Sequence, residues 1–454
     1  MPPITKKMTA ADVAWLRMEN PANPMTITGV MMTAKPMDRA TLLRLIEERL
    51  TVYQRFRMRV DDPKSLAPHW VLEDPFDAER RVIPFTLPAP GDQRALERAV
   101  SDLMSTPLSF NEPPWTFHHI ERYGEGSAII IRLHHIIGDG IAMMHVLLSM
   151  SDELWDPATI SGDRKQPKRP LPARVKRTTK NALGETWDLI SDPSHLVARA
   201  KQFGGGTKAL GGLLAMSPDS DTLFKGKATR EKRAAWSKPI ALDTIKAIGH
   251  ATGSKVNDVL LAAASGALGR YLTERSQPTE GVVIRAAVPV NVRPLDRAHE
   301  LGNAFALVFL PLPIGIRDPV ERVRQLKASM DELKQSSQPA VVYGILQSIG
   351  VAPKWFHRFV VWLFSQKASA VMTNVPGPQE PLHLLDVPLG DLMFWVPQAG
   401  DIGLGLSILS FNGRVLVGVA ADTTLVPDPW ALVENFEEEF AALATRYAPQ
   451  PATS

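Results

Sequence analysis

The sequence predicts a mixed α/β protein organised in two lobes. At 454 residues the chain is longer than one hydrophobic core usually serves, so two domains are expected. Apolar residues follow the two-residue period of strands in some segments and the period of about 3.6 residues of helices in others. Both patterns occur on either side of a basic, glycine-rich stretch. We therefore predict an N-terminal lobe over residues 1–155, a crossover over 156–229 and a C-terminal lobe over 230–454.

The N-terminal lobe is predicted to alternate strands and helices. MTITGVMMT, from Met25, is strand-like, and Asp38 is the expected N-cap of the helix DRATLLRLIEERL. A second helix is predicted over Asp92–Met104, and the stretch NEPPW breaks the chain before the strand GSAIIIRL, which begins at Gly126. That strand leads directly into a pair of histidines.

The C-terminal lobe is predicted to mix the same two kinds of element. In order, they are a helix over Asp258–Leu272, a strand from Gly281, a strand over Ala304–Leu312, alternating strands around Ser407 and Val415, and a final helix over Pro429–Tyr447. No repeat of fixed period is visible, which argues against solenoids and propellers.

Composition and charge exclude several classes of protein. The chain is 44% hydrophobic and 22% charged, which is typical of globular proteins. It has no uninterrupted apolar run of about 18 residues, and MPPITKKMTAADVAWLRM lacks the apolar core of a signal peptide, so a cytoplasmic location is expected. The net charge of +3 is too small to indicate nucleic acid as a partner.

The chain contains no cysteine, which limits its chemistry. Disulfides, a thiolate nucleophile and cysteine metal sites are all excluded. The sequence also lacks a G-x-S-x-G nucleophile elbow, an H-E-x-x-H zinc helix and a dinucleotide-binding glycine pattern. Direct transfer between two bound substrates is therefore favoured over a covalent intermediate on the protein.

The motif HHIIGDG, His134–Gly140, stands at the turn from the strand to a predicted helix. Imidazole titrates near the pH of the cytoplasm, so His135 is the candidate general base. Asp139 is expected to orient the loop through an ion pair, and Gly140 to let the helix start close to the sheet. An alternative remains open, in which the histidines only hydrogen-bond the backbone while Asp139 and Gly140 make the turn.

HHIIGDG and several other segments of the chain resemble segments of known enzymes. HHIIGDG resembles the HHxxxDG signature of the CoA-dependent acyltransferase superfamily, and the rest of the chain resembles the bacterial wax ester synthase/acyl-CoA:diacylglycerol acyltransferase family. The segments concerned are TAADVAWLRMENPANPMTITG from Thr9, PPWTFHHIE from Pro113, GSKVNDVLLAAASGALGRYL from Gly253, and AVPVNVRP from Ala287 with the later ELGNAF and TNVPGP. This chain has PPW where the family usually has PLW, and PMTITG where many members of the family have PMHVG. Both departures are expected to reshape the lipid tunnel.

The resemblance implies two chloramphenicol-acetyltransferase-like lobes with the active-site tunnel between them. It implies that His135 is the general base and that His134 supports the local structure. Asp139 is expected to form a structural ion pair with Arg293 of PVNVRP. These roles follow from the match to the family motif.

Three further residues receive roles by the same resemblance. Asn257 is expected to stabilise the developing oxyanion or to line the tunnel, although its place before DVLLAAASGALGRYL also suits an N-cap. Asn291 is a candidate substrate-binding residue. Trp115 is expected to contact the acyl chain or, alternatively, to belong to the core.

The activity implied is transfer of a long-chain acyl group from acyl-CoA to a fatty alcohol, a diacylglycerol or both. No metal and no bound cofactor are expected, since acyl-CoA is a co-substrate. One alternative is an acyltransferase of the same superfamily that uses a natural-product hydroxyl, an amine or a carrier-bound substrate. Another is a non-catalytic lipid-binding relative.

Two segments suit a peripheral position on a membrane or a lipid droplet. The stretch from Asp163 to Lys180 carries eight Lys or Arg and one acid, and it also reads as a solvated linker without a partner. KWFHRFVVWLF, Lys354–Phe364, places Trp355, Phe359 and Trp362 on one helical face. That face suits a lipid interface or burial, and we favour burial.

Overall fold

A computed structural model describes residues 4–65, 67–156, 214–291, 305–335 and 354–447. Two large β-sheets with helices packed against them make up most of this part of the chain. The predicted mixed α/β fold class is confirmed. The basic stretch from Asp163 to Lys180 and the candidate partner Arg293 lie outside the described residues.

The first sheet carries the histidine motif. Its strands, numbered in chain order, stand side by side as β13 (His383–Leu384), β14 (Val387–Trp395), β2 (Thr26–Thr33), β7 (Gly126–His134), β6 (Trp115–Tyr123) and β5 (Val82–Pro84). Neighbouring strands are antiparallel except for β5 and β6. Strands β13 and β14 come from the C-terminal part of the chain, so this sheet joins distant segments, with Trp395 opposite Thr28.

The second sheet is built from the C-terminal part. Its strands are β11 (Phe305–Leu312), β10 (Ile284–Asn291), β12 (Ala370–Pro376), β15 (Leu404–Phe411), β16 (Arg414–Asp422) and β8 (Lys232–Trp236), with β9 (Ile240–Ala241) also paired to β16. Strand β12 is parallel to both of its neighbours. Both β15 and nearly all of β16 are buried, so this sheet is covered on both faces.

A small third sheet and the helices complete the described fold. The sheet consists of β1 (Thr5–Lys7), β4 (His69–Leu72) and β3 (Met58–Asp61). The helices are α1 (Ala10–Met18), α2 (Arg39–Leu45), α3 (Gln93–Met104), α4 (Gly140–Ser149), α5 (Leu242–Thr252), α6 (Val256–Glu274), α7 (Pro319–Gln335), α8 (Lys354–Lys367) and α9 (Pro429–Tyr447).

Helix caps explain why several predicted helices start where they do. Asp38 and Asp92 accept hydrogen bonds from the backbone N–H groups of Thr41 and Ala95, at 2.7 and 2.9 Å. The helix predicted after Asp38 is α-helical only to Leu45 and continues as a π-helical turn over Ile46–Leu50. The predicted N-cap Asp38 is confirmed, and Asp92 is the N-cap of the helix predicted over Asp92–Met104.

Helix α8 exposes its aromatic face, which corrects the buried interpretation. Trp355 is 70% exposed and Trp362 is 50% exposed, and Phe359 is half-buried. Val360 and Leu363, away from this face, are buried and anchor the helix. Periodicity alone cannot distinguish a lipid-facing stripe from a core-facing one, because both repeat with the helical turn. Within the described residues, none of the helices is long and apolar enough to cross a membrane.

Candidate functional site

His135 occupies the turn between β7 and α4, as predicted. Its backbone N–H donates to the Met25 carbonyl at 2.8 Å, which extends the pairing of β7 with β2 by one residue. Its side chain is buried, and the imidazole stacks on the indole of Trp15, with ring centroids 3.7 Å apart and an angle of 17° between the planes. The candidate base is therefore held through both its backbone and its ring.

His134 is held at both ring nitrogens. Its Nε2 lies 3.1 Å from Glu19 Oε2, and its Nδ1 accepts a hydrogen bond from the Ile136 N–H at 3.2 Å. Because Nδ1 accepts, the neutral ring carries its proton on Nε2 and donates to Glu19. The same Glu19 oxygen accepts from the Met25 N–H at 2.7 Å. These contacts suit a supporting role for His134.

Asp139 and Gly140 begin helix α4. The Asp139 carboxylate accepts from the Ala142 N–H at 2.9 Å, which makes Asp139 the N-cap of the helix. Its predicted ion pair with Arg293 stays a prediction, since Arg293 lies outside the described residues. A β-carbon on Gly140 would lie 3.6 Å from Val396 Cγ1, an ordinary contact, so packing against Val396 does not by itself require glycine.

Asn257 does not cap a helix, contrary to one of its two predicted roles. Helix α6 begins at Val256, its N-cap is Lys255, and Asn257 lies within the first turn. The Lys255 N–H donates to Asp258 Oδ2 at 2.8 Å. Asn257 Oδ1 accepts a hydrogen bond from the side-chain amide of Asn374 on β12. The capping interpretation is wrong, and the amide pair joins α6 to the second sheet.

Trp115 belongs to the core of the first sheet. It is fully buried, its Nε1 donates to the Phe56 carbonyl at 2.8 Å, and its ring packs edge to face with Phe56 and Phe117. This placement favours the core alternative over contact with an acyl chain. Asn291 is the last residue of β10, opposite Phe305, and its side chain lies outside the described part.

An apolar cavity lies between α4 and the first sheet, beside the motif. Its volume is about 50 Å³, and it is partly open to solvent. Its lining consists of apolar residues and glycines: Ile27, Gly29, Val30, Met31, Ile131, Leu133, Gly140, Met143, Met144, Leu147, Leu148, Leu389, Leu392, Met393 and Phe394. Unbranched methionine side chains make such a lining adaptable. The cavity extends from Gly140 of the motif along α4.

A second histidine pair, His118 and His119, is buried on β6. Burial and, to a smaller extent, the nearby charge of Arg132 together lower the pKa of His118 to about 4. His119 Nε2 lies 2.8 Å from the Met37 carbonyl. In the part of the chain that the structure describes, no group of three or more His, Asp or Glu side chains is arranged to hold a metal ion.

Two family models match this chain. One describes the wax ester synthase/diacylglycerol acyltransferase catalytic domain and matches residues 8–260. The other describes the C-terminal domain of the same family and matches residues 301–444. Together they cover most of the chain, including HHIIGDG.

Named relatives match over most of their length. A probable diacylglycerol O-acyltransferase, tgs1, of Mycobacterium tuberculosis is 26% identical over 413 residues, 89% of this chain and 88% of the relative. Wax ester synthase/diacylglycerol acyltransferase 1 of Arabidopsis thaliana is 26% identical over 373 residues, 76% of this chain and 74% of the relative.

Solved structures share the fold. A wax ester synthase/diacylglycerol acyltransferase from Marinobacter aquaeolei VT8 superposes with a TM-score of 0.69 at 23% identity, covering 97% of this chain and 99% of the other. The first condensation domain of a calcium-dependent antibiotic synthetase gives a TM-score of 0.62 at 16% identity, covering 98% of each chain.

Proposed function

This chain belongs to the wax ester synthase/diacylglycerol acyltransferase family, and we propose that it transfers a long-chain acyl group from acyl-CoA to the hydroxyl of a fatty alcohol, a diacylglycerol or both. The names of the relatives supply both acceptor classes. The observation that carries the proposal is the placement of His135 in the HHIIGDG turn, stacked on Trp15 while His134 holds the loop.

In the proposed reaction His135 acts as the general base. As the acceptor hydroxyl oxygen attacks the thioester carbonyl carbon, a C–O bond forms and the hydroxyl proton passes to the imidazole. The carbonyl oxygen carries the negative charge of the tetrahedral intermediate. When the intermediate collapses, the C–S bond breaks, and the imidazolium returns its proton to the departing sulfur to give ester and CoA thiol. Since the chain has no cysteine, no thiolate of the protein competes as a nucleophile.

The cavity beside the motif supports a long-chain substrate. Its lining is apolar, and Gly140 and Met143 place one end of it at the start of α4, the helix that follows the His135 turn. An alkyl chain in this space loses contact with water, which favours binding by about 25 cal/mol per Å² of apolar surface buried. We propose that the cavity holds part of the alkyl chain of one substrate while its reacting carbonyl or hydroxyl lies near His135.

The reaction is tested with purified protein, palmitoyl-CoA and either hexadecanol or dipalmitoylglycerol. The proposal predicts release of CoA thiol that depends on the acceptor, with wax ester or triacylglycerol identified by mass. Products formed only with an amine or a carrier-bound acceptor would redirect the assignment within the superfamily. Folded protein that binds acyl-CoA without transferring the acyl group would favour a lipid-binding role.

We also propose that α8 attaches the protein to an anionic lipid surface, from which a long-chain acceptor is drawn. Trp355, Arg358 and Trp362 are exposed at positions i, i+3 and i+7 of one helical face. Tryptophan favours the membrane interface, and arginine favours anionic headgroups. The helix sequence KWFHRFVVWLFSQK contains no acidic residue that would oppose this contact.

Flotation with vesicles of phosphatidylcholine and phosphatidylserine tests the lipid surface. We expect the protein to float with these vesicles at low salt, and the Trp355→Ser/Trp362→Ser variant to lose most of that binding. Ile83, an exposed apolar residue of β5, provides the matched control as Ile83→Ser. Equal flotation of the double variant and wild type would contradict the role of α8.

A further inference from the structure

The indole of Trp15 stacks on the imidazole of His135. We propose that Trp15 is a positioning residue, which holds the His135 imidazole in its reactive orientation and stabilises the ring while it carries the proton of the acceptor. The centroid distance of 3.7 Å and the interplanar angle of 17° place the indole face directly against the imidazole. The inference rests on the proposed function, because it concerns the base of that reaction.

Helix α1 holds Trp15 in a fixed place. The helix starts with a capping box, in which the Asp12 N–H donates to Thr9 Oγ1 at 3.1 Å and the Thr9 N–H to Asp12 Oδ2 at 3.3 Å. Asp12 Oδ2 also accepts from Arg55 at 3.0 Å, and the same Arg55 nitrogen lies 3.4 Å from the Ile136 carbonyl. The residue next to His135 and the helix that carries Trp15 are therefore tied to one guanidinium.

The stack is expected to strengthen as the reaction proceeds. An indole face attracts a cation, and tryptophan does so more strongly than the other aromatic residues. In the proposed mechanism His135 is neutral before the attack and cationic in the tetrahedral intermediate. A contact that favours the cationic ring stabilises the intermediate more than the ground state, and such a contact increases kcat.

Other charged and titratable groups lie near the stack in the described structure. On α1 and the adjoining chain, Asp12 pairs with Arg55 and Glu19 binds His134, while Asp139 caps α4. Arg17 on α1 and His357 on α8 also belong to this region, and burial, opposed by a hydrogen bond to the Ala14 backbone, lowers the pKa of His357. The variants at Trp15 leave all of these groups in place.

Two substitutions separate electrostatic support from simple filling of space. Trp15→Leu keeps an apolar cover over the imidazole without an aromatic face, and Trp15→Phe keeps a weaker face. We expect kcat to fall about tenfold in Trp15→Leu and less in Trp15→Phe, with the KM for palmitoyl-CoA nearly unchanged. Trp430→Leu is the matched control, since Trp430 on α9 is half-buried and donates to Glu97.

The pH dependence of kcat/KM provides a second test, because misplacement of the imidazole alone would lower the rate without shifting the pKa of His135. Because the indole favours the protonated imidazole, its removal lowers the pKa of His135, so the acidic limb of kcat/KM moves to lower pH by about half a unit to one unit. Histidine ring signals in NMR titrations, assigned by their loss in His135→Ala, report the same pKa without any turnover.

The outcomes keep this inference separate from the proposed function. A lower pKa in Trp15→Leu by NMR supports the stack even if the acceptors tested give no product. Absence of product from wild type with an intact titration counts against the acyltransferase assignment alone. An unchanged or raised pKa in Trp15→Leu, or a kcat in Trp15→Leu equal to that of wild type, overturns the role of Trp15.

Discussion

Glu19 Oε2 accepts from both His134 Nε2, at 3.1 Å, and the Met25 N–H, at 2.7 Å. The Met25 carbonyl in turn accepts from the His135 N–H at 2.8 Å. One carboxylate oxygen thus joins the end of α1, the start of β2 and the turn that carries HHIIGDG. The chain of contacts fixes the backbone of His135 through residues more than a hundred positions away.

Removal of the Glu19 carboxylate should weaken this junction. In Glu19→Ala the His134 Nε2–H and the Met25 N–H both lose their acceptor, at a cost of about 1–3 kcal/mol in the free energy of unfolding. Glu19→Gln keeps a side-chain oxygen and should lose less. Denaturant unfolding and kcat measured on both variants check this. Wild-type stability and kcat in Glu19→Ala would show that the junction is unimportant.

Filling the cavity should change chain-length selectivity. Leu147→Phe adds bulk to the lining, and each methylene that no longer fits is worth about 1–3 kcal/mol. We expect the preference for C16 over C8 chains to fall at least about tenfold for one of the two substrates, either the acyl-CoA or the alcohol. The substrate whose preference falls is the one whose alkyl chain lies in the cavity. Val146→Leu is the control, because Val146 is buried outside the cavity lining. Unchanged selectivity for both substrates in Leu147→Phe contradicts the assignment.

Local patterns were sufficient to predict the strand, the turn and the helix around HHIIGDG. The apolar run of β7, the Asp139 cap and the helical period after Gly140 all lie within a short stretch, where neighbouring residues decide the structure. The same holds for the Asp38 cap.

Contacts between distant segments were not predictable in the same way. Trp15 and Glu19 reach the motif from α1, and Asn374 reaches Asn257 across 117 positions. These residues lie in segments that carry the family resemblance, yet no spacing rule assigns their partners. The pairing of β14, from the C-terminal part of the chain, with β2 of the first sheet likewise depends on tertiary packing.

The amide pair of Asn257 and Asn374 should show coupled stability. A hydrogen bond between neutral groups typically contributes about 0.5–1.5 kcal/mol. The two alanine variants and their double variant form a cycle, in which denaturant unfolding should give a coupling energy of about that size. If the losses of unfolding free energy in the two single variants simply add in the double variant, the contact does not stabilise the fold.

Protonation of buried His118 should destabilise the protein in acid. Its pKa is lowered to about 4 by burial and then by the charge of Arg132, whereas the unfolded chain titrates near 6.5. The unfolded state therefore binds the proton first, so this contribution to stability is present above about pH 6.5 and is lost as the pH falls toward about 4.

His118→Gln removes this titration while keeping a polar side chain. Its midpoint of thermal unfolding should fall less than that of wild type between pH 7 and about 4.5. His250→Gln, a change at an exposed position on α5, is the control and should follow wild type. If the midpoints of His118→Gln and wild type fall in parallel with pH, another group dominates the loss of stability in acid.

His135 is proposed to take the proton of the acceptor, and the most direct test compares His135→Ala with wild type in acceptor-dependent release of CoA from palmitoyl-CoA. We expect kcat to fall at least about 100-fold, with ester product lost in proportion and with unfolding close to wild type. The exposed His250→Ala serves as the control. A folded His135→Ala protein that keeps a kcat within a few-fold of wild type would contradict the role of His135 as the base.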